Sequence, residues 1–216
     1  IKDFDKAIIL FEESIKRFPK SLEPYSNLAN VLLKKGNNES AKKYLEKAIE
    51  IDPKYLRAYS NLASIYVGEG NFEKAKLFLK RTIEINPNDI NSLVNLGCVL
   101  RDLGNSKQSE KYLKNALAIN PENDNALTNL GAVLNELGKI DEGEKILKKA
   151  LAINPTSSLA FNNLGNILNK KNNLKDAEVC FRKAIELKPD FSLAYSNLGS
   201  LLARRGNLIA AEKYTQ

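Results

Sequence analysis

A spacing of 34 residues runs through the whole chain and constrains its fold more than any other feature. It is marked by prolines and, in a second phase, by asparagines that are each followed by leucine. The marking residues are Pro19, Pro53, Pro87, Pro121, Pro155 and Pro189, and Asn27, Asn61, Asn95, Asn129, Asn163 and Asn197. Because a unit of this length cannot bury a hydrophobic core alone, neighbouring copies must cover one another in an array.

Residues 126–155 show what one unit contains. Apolar residues recur at helical spacing from Leu127 to Leu137, the pattern breaks at Gly138, and a second periodic run extends from Ile146 to Ile153. Two such runs joined by a short break predict a pair of antiparallel helices.

A helix pair of 34 residues that closes on proline resembles the tetratricopeptide repeat (TPR) family, and the resemblance covers the entire chain. The Asn-Leu-Gly pattern with Ile-Asn-Pro ends is also similar to the repeat region of O-GlcNAc transferases and related bacterial and archaeal TPR proteins. The resemblance implies an all-α, right-handed superhelical solenoid. We expect a single array over residues 1–216, with a half repeat at 1–21, full repeats at 22–55, 56–89, 90–123, 124–157 and 158–191, and a truncated repeat at 192–216.

Small residues recur at two places in each unit. The first helix is expected to end in a left-handed residue, because glycine or asparagine stands there in Gly36, Gly70, Gly104, Gly138, Asn172 and Gly206. The second place is inside the first helix, where alanine or glycine predicts a close approach of two helices. Since alanine is accepted there at Ala29 and Ala63, we expect Gly131→Ala to be neutral or to stabilise by up to about 1 kcal/mol.

Composition argues against several classes of protein. The net charge of +7 comes from basic residues interleaved with acidic ones, which favours a solvated outer face over an RNA-binding stripe. No apolar run reaches the roughly 20 residues of a membrane span. Cys98 and Cys180 lie in repeats that are not adjacent, so we expect free thiols, which favour a reducing, cytoplasmic setting.

Residues for catalysis are scarce. The chain has no histidine, which removes the commonest general base and metal ligand. It also has no glycine-rich phosphate loop, and two separated cysteines cannot form a zinc site. We expect no enzyme activity, cofactor or metal site.

The repeating asparagines are the candidate binding residues. In the TPR family the first helices line a concave groove, and this resemblance implies that the six asparagines face it. An amide offers both a donor and an acceptor to the backbone of an extended peptide. The predicted peptide-binding residues are Asn27, Asn61, Asn95, Asn129, Asn163 and Asn197, and the predicted groove-lining residues are Asn30, Ser64, Cys98, Asn162, Asn166, Ser196 and Ser200. The alternative is that these asparagines only hold neighbouring turns together.

The sequence therefore predicts a scaffold that binds an extended protein or peptide segment rather than nucleic acid. Chaperone tails are disfavoured, because the lysines that clamp a terminal carboxylate in related repeats do not precede the asparagines here. One alternative is a substrate-recruiting arm of a larger glycosyltransferase or sulfotransferase. Another is a self-assembling array, since Ile1 begins inside an amphipathic pattern and a stripe of Phe4, Ile8 and Phe11 is expected to be exposed at an uncapped end.

Overall fold

The computed structural model describes residues 2–206, and within them every regular element is an α-helix. The helices are α1 (Lys2–Arg17), α2 (Leu22–Lys34), α3 (Asn38–Ile51), α4 (Leu56–Gly68), α5 (Phe72–Ile85), α6 (Ile90–Asp102), α7 (Ser106–Ile119), α8 (Asp124–Glu136), α9 (Ile140–Ile153), α10 (Ser158–Lys170), α11 (Leu174–Leu187) and α12 (Ser192–Arg204). The predicted all-α repeat class is confirmed. Residues 207–216 of the predicted truncated repeat lie outside the described residues.

The helix boundaries repeat with the period of the sequence. The first helices of the repeats, which are α2, α4, α6, α8, α10 and α12, begin 34 residues apart, and so do the second helices, α3, α5, α7, α9 and α11. The two kinds of helix are joined by short turns such as residues 35–37 and 52–55. Connections this short bring each helix back against the one before it.

The turn after each first helix contains one left-handed residue. Five glycines have φ between 70° and 79°, and Asn172 takes the same place with φ of 61°. This confirms the prediction made for all six positions. The residue after the left-handed one often caps the N-terminus of the second helix. Asn37, Asn71 and Asn173 do so by accepting a hydrogen bond from the backbone N–H three residues later.

The turns after α3, α5, α7 and α9 depend on the residue before proline. The side-chain oxygens of Asp52, Asn86, Asn120 and Asn154 each accept from the backbone N–H two residues later, at 2.9 to 3.2 Å. This local hydrogen bond forms a tight turn around the proline, which cannot continue the helix. The recurring Ile-Asp-Pro and Ile-Asn-Pro sequences are therefore turn signals.

The helices form two compact units, residues 1–103 with α1 to α6 and residues 104–216 with the helices from α7 onward. In the first unit each helix packs against the next one along the chain. The hydroxyls of Tyr25 and Tyr59 add a link between repeats, because each donates to the carbonyl of the proline that closes the preceding repeat. In the second unit α10 lies centrally and packs against α8, α9, α11 and α12.

Leucines at equivalent positions fill both interiors. The largest fully buried side chains are Leu28, Leu45, Leu62, Leu79, Leu96 and Leu100 in the first unit and Leu113, Leu127, Leu130, Leu134, Leu147 and Phe181 in the second. Within the described residues no helix is both long and apolar enough to cross a membrane.

The glycines inside the first helices allow close helix contact, as predicted. A Cβ atom at Gly131 would lie 2.4 Å from Cγ of Leu147, and one at Gly165 would lie 2.5 Å from Cε1 of Phe181. Neither glycine has a left-handed φ. An alanine at position 131 therefore requires the Leu147 side chain to shift.

The exposed face of α1 differs from the predicted one. Because α1 packs against α2, Ile8 and Phe11 are half-buried, and Phe4 is only 36% exposed. The more exposed apolar side chains are Ile9, Leu10 and Phe18, at 56%, 64% and 63%. The predicted stripe is apolar, but α2 already covers most of it.

Candidate functional site

The six repeating asparagines, here called the Asn ladder, differ in exposure. Asn95 is exposed, Asn163 is 9% exposed, and the other four are half-buried. All of them occupy the same turn of a first helix, so the difference comes from their neighbours and not from their place in the repeat.

Three ladder asparagines connect a first helix to the first helix of the preceding repeat. The Nδ2 group of Asn61 donates to Oδ1 of Asn30 at 3.1 Å, and that of Asn197 donates to Oδ1 of Asn162 at 2.8 Å. The Nδ2 group of Asn163 lies 3.5 Å from the Thr128 carbonyl, at the long end of hydrogen-bond geometry. These bonds join successive turns of the array within each unit.

Asn129 and Asn95 are placed differently. The Nδ2 group of Asn129 donates at 2.9 Å to the carbonyl of Asn125, which belongs to the same helix. Asn95 presents its amide at the surface. The ladder therefore contains bridging asparagines and asparagines whose amides face outward or back to their own helix.

The residues three positions after the ladder form a surface row, and those one position before it form a buried row to which Ser196 is the exposed exception. Three residues after the ladder, Asn30, Ser64 and Ser200 are exposed, whereas Cys98 and Asn166 are half-buried. One residue before it, Ser196 is exposed, but Asn162 is 3% exposed and Ser26 is fully buried.

Helix geometry explains this separation. Residues three apart share a face, whereas adjacent residues point about 100° apart around the helix. Asn162, which was predicted to line the groove, lies in the buried row and accepts from Asn197. The helical period places the later flank about 60° and the earlier flank about 100° from the ladder asparagine, so the earlier flank lies further around the helix, toward the interior.

Sequence reasoning missed two cations at the ends of first helices. Lys170 donates from Nζ to the carbonyl of Asn135 at 3.1 Å, so it crosses from α10 to the end of α8. Arg204 crosses from α12 to the end of α10, where it donates to the carbonyl and Oδ1 of Asn169 and to Oδ1 of Asn172. The last carbonyls of a helix carry partial negative charge, so a cation there is favourable.

A pocket of about 190 Å³ opens beside Asn95, between α4 and α6. Its lining consists of Ala63, Ser64, Val67, Leu79, Asn95, Cys98, Val99 and Asp102. The floor and walls are mainly apolar, and the polar groups lie at the rim. Burial raises the pKa of the Cys98 thiol, so this cysteine is mostly protonated at neutral pH.

Ion pairs join the second helices of one repeat to the first helices of the next. Glu144 pairs with Lys148 on its own helix at 2.6 Å and with Lys171 at 2.8 Å. Hydrogen bonds from these two lysines hold the pKa of Glu144 below its ordinary value. Among the described residues no group of three or more metal-ligating side chains comes together.

Known proteins similar to this chain share its repeats. The family model of the Cilia and flagella-associated protein 70 C-terminal domain matches residues 4–216. No curated protein matches. Among solved structures, YrrB, described as a TPR protein with an unusual peptide-binding site, is 27% identical with a TM-score of 0.70 over 90% of this chain and 97% of that one.

Two further solved structures support the fold. PilW, a type IV pilus biogenesis factor, is 25% identical with a TM-score of 0.79 over 89% of this chain and 90% of its own. The Cut9–Hcn1 structure is 16% identical with a TM-score of 0.82 over 98% of this chain and 43% of that one, and it supports the fold alone. The chain is a TPR protein and belongs to the family of the Cilia and flagella-associated protein 70 C-terminal domain.

Proposed function

We propose that the first helices of this TPR scaffold bind an extended segment of a partner protein. The observation that carries the proposal is the surface row of small residues beside the ladder in the first unit, where Asn30 and Ser64 are exposed. Small side chains leave room for a peptide backbone to approach, and the neighbouring amides can pair with it. The similar array of YrrB is described as having a peptide-binding site, which supports the same use of this one.

The two kinds of ladder asparagine have different parts in this proposal. In the first unit, Asn95 contacts the main chain of the bound segment through its exposed amide. Asn61, Asn163 and Asn197 hold successive first helices in register. A main-chain contact reads little of the partner's side chains, so sequence preference must come from other residues of the face.

Site-specific photocrosslinking tests the proposal. A benzophenone amino acid is placed at Ser64 on the ladder face, and as a control at Leu77, a 65% exposed residue of the second helix α5. We expect one partner segment to crosslink at position 64 and not at position 77. A synthetic peptide of that segment should then bind the purified protein, and Asn95→Ala should weaken it. Equal crosslinking at both positions would contradict the proposal.

Self-association through α1 is a second candidate, because Ile9, Leu10 and Phe18 expose apolar surface. Light scattering at increasing concentration tests it, with Leu10→Lys as the disrupting variant and Leu77→Lys as the control. A mass that rises with concentration in the wild type and in the control, but not in Leu10→Lys, would support association through this helix. A constant monomer mass would contradict it.

A further inference from the structure

The lines along which two consecutive first helices meet within one unit are here called seams, and they are not alike. The α2/α4 seam is bridged by the hydrogen bond from Asn61 to Asn30. The α8/α10 seam is crossed by Asn163 and Lys170, and the α10/α12 seam by Asn197 and Arg204. In these seams side chains of the protein itself span the gap.

The α4/α6 seam is open instead. Asn95 is exposed there, whereas the equivalent Asn163 is 9% exposed. The hydroxyl of Ser64 donates to the Ser60 carbonyl of its own helix, so it does not reach across. The pocket of about 190 Å³ lies in this gap. By a similar measure one water needs roughly 10–15 Å³, so the pocket has room for a long side chain.

The bridged seams show which kind of side chain fits such a gap. Lys170 and Arg204 lay an aliphatic stem across the seam and place a cationic head on the carbonyl at the end of the preceding first helix. In the α4/α6 seam the equivalent carbonyl belongs to Val67, and the residue equivalent to Lys170 is Asp102. This seam therefore has the negative helix end and a carboxylate, but an acid stands where the α8/α10 and α10/α12 seams have the cation.

We propose that the α4/α6 seam binds the side chain of a lysine or arginine from the partner segment. The stem of that residue packs against Ala63, Val67 and Val99, and its head group donates to the Val67 carbonyl and to the carboxylate of Asp102. The proposal deepens the proposed function, because it names a basic residue as the feature that selects the partner.

Asp102 can accept such a guest although Arg101 is close. An Nη of Arg101 lies 3.6 Å from Oδ1 of Asp102, which is longer than the roughly 2.7–2.9 Å of a charge-assisted hydrogen bond. A carboxylate has two oxygens with about four lone-pair sites in all. A lysine or arginine head group can therefore bind Asp102 beside Arg101.

Cys98 lines the pocket and allows a test that does not require the partner. Two methanethiosulfonate reagents are compared, one with an aminoethyl tail, which resembles a shortened lysine, and one with a sulfonatoethyl tail, and each rate is normalised to the rate of the same reagent with a small free thiol. Modification of Cys98 is followed by peptide-resolved mass spectrometry, and the buried Cys180 serves as an internal reference. At low salt, Asp102→Asn should reduce the preference of Cys98 for the cationic reagent roughly tenfold, as expected for a unit charge about one helical turn away.

Asp102→Lys provides the second variant, because it supplies the cation from within the chain, as Lys170 does in its own seam. It should slow the reaction of Cys98 with the cationic reagent relative to Asp102→Asn, because the new ammonium group occupies the gap and repels that reagent. An unchanged reagent preference in Asp102→Asn, or equal rates with the cationic reagent in Asp102→Lys and Asp102→Asn, would overturn the proposal. These outcomes leave peptide binding on the ladder face untouched, since photocrosslinking at Ser64 tests that separately.

Discussion

Asn163 and Asn95 occupy the same position of different repeats, yet one bridges two helices and the other is exposed. We expect Asn163→Ala to lower the free energy of unfolding by about 0.5–1.5 kcal/mol, the net value of one hydrogen bond. Asn95→Ala should stay within about 0.5 kcal/mol of the wild type, as surface substitutions usually do. Urea denaturation measures both. Equal losses would mean that exposure does not distinguish the two asparagines.

For the affinity of a partner segment, Asn95 should matter more than the asparagines that bridge two helices. If Asn95 pairs with the main chain of a partner segment, Asn95→Ala removes one hydrogen bond and should weaken affinity roughly 2- to 13-fold. Isothermal titration with the crosslinked segment measures this change. Asn61→Ala is the control, because the Asn61 amide donates to Asn30 and is not assigned to the partner. A full wild-type affinity in Asn95→Ala would remove this residue from the proposed site.

The glycines inside the first helices differ in the side chain that they face, and this predicts different effects of substitution. We expect Gly165→Ala to destabilise by about 1–3 kcal/mol, because the new Cβ would overlap the rigid ring of Phe181. Gly131→Ala should cost less, since Leu147 can change its rotamer. Chemical denaturation of the two variants measures the difference.

A double variant controls for other causes. Phe181→Leu combined with Gly165→Ala recreates the alanine and leucine pair that Ala63 and Leu79 form in another repeat. The double variant should recover most of the stability that is lost in Gly165→Ala alone. No recovery would show that the ring is not the source of the cost.

Individual residues show where sequence reasoning succeeded and where it could not. The left-handed Asn172 was predicted because its place in the repeat demands φ above zero, and only a few residue types adopt it at low cost. The roles of Lys170 and Arg204 were not predicted, because a basic residue at a helix end fits solvent as well as a bridge. Which neighbour a long side chain reaches depends on packing that no single repeat encodes.

At the scale of helices, successive repeats are joined by ion pairs at one pair of equivalent positions, and the acidic and basic residues of the pair exchange places between repeats. Lys42 of α3 pairs with Glu69 at 3.0 Å, and Glu144 of α9 pairs with Lys171 at 2.8 Å. The two pairs are equivalent in the repeat, but their signs are exchanged. If α3 packed in the place of α9, its Lys42 would therefore lie beside Lys171, which has the same charge. This favours the native register.

Exchanging the charges tests this register. We expect Glu144→Lys and Lys171→Glu each to lower stability, because each brings like charges together. The double variant should recover part of the loss, because it restores the order found in Lys42 and Glu69 but leaves position 144 facing Lys148 and position 171 facing Asp141 with like charge. A double-mutant cycle in urea measures the coupling. If the losses of the two single variants simply add in the double variant, residues 144 and 171 are not energetically coupled.

The same helix contact predicts a pH dependence. Because Lys148 and Lys171 hold the pKa of Glu144 below its ordinary value of 4.5, the folded protein binds this proton less tightly than the unfolded chain does. The stabilising contribution is therefore fully present above pH 4.5 and is lost as the pH falls through the lower folded value. We expect thermal stability to decrease less steeply below pH 4.5 in Glu144→Gln than in the wild type. Identical slopes would exclude a contribution from this carboxylate.

For the molecule as a whole, the repeat period carries most of the fold information. Helix starts 34 residues apart follow from the spacing of the prolines and asparagines, because each unit must use the same turns to pack on its neighbours. The division into residues 1–103 and 104–216 was not predicted. It falls after Leu103, inside a repeat whose sequence keeps the period, so local pattern gives no sign of it.

A repeat array should respond to damage locally, and Leu130→Ala tests this at the scale of the chain. Leu130 in α8 is 2% exposed, and truncation of such a leucine costs about 2–5 kcal/mol. Because each repeat is stabilised mainly by its neighbours, the loss should be greatest in α8, α9 and α10 and weaker in α2 and α3. Hydrogen exchange with mass spectrometry measures the protection of each helix. Leu77→Ala is the control, because that leucine is 65% exposed and should change little. Equal acceleration in every helix would mean that the chain unfolds as one cooperative body, and stability would then not be a sum over neighbouring repeats.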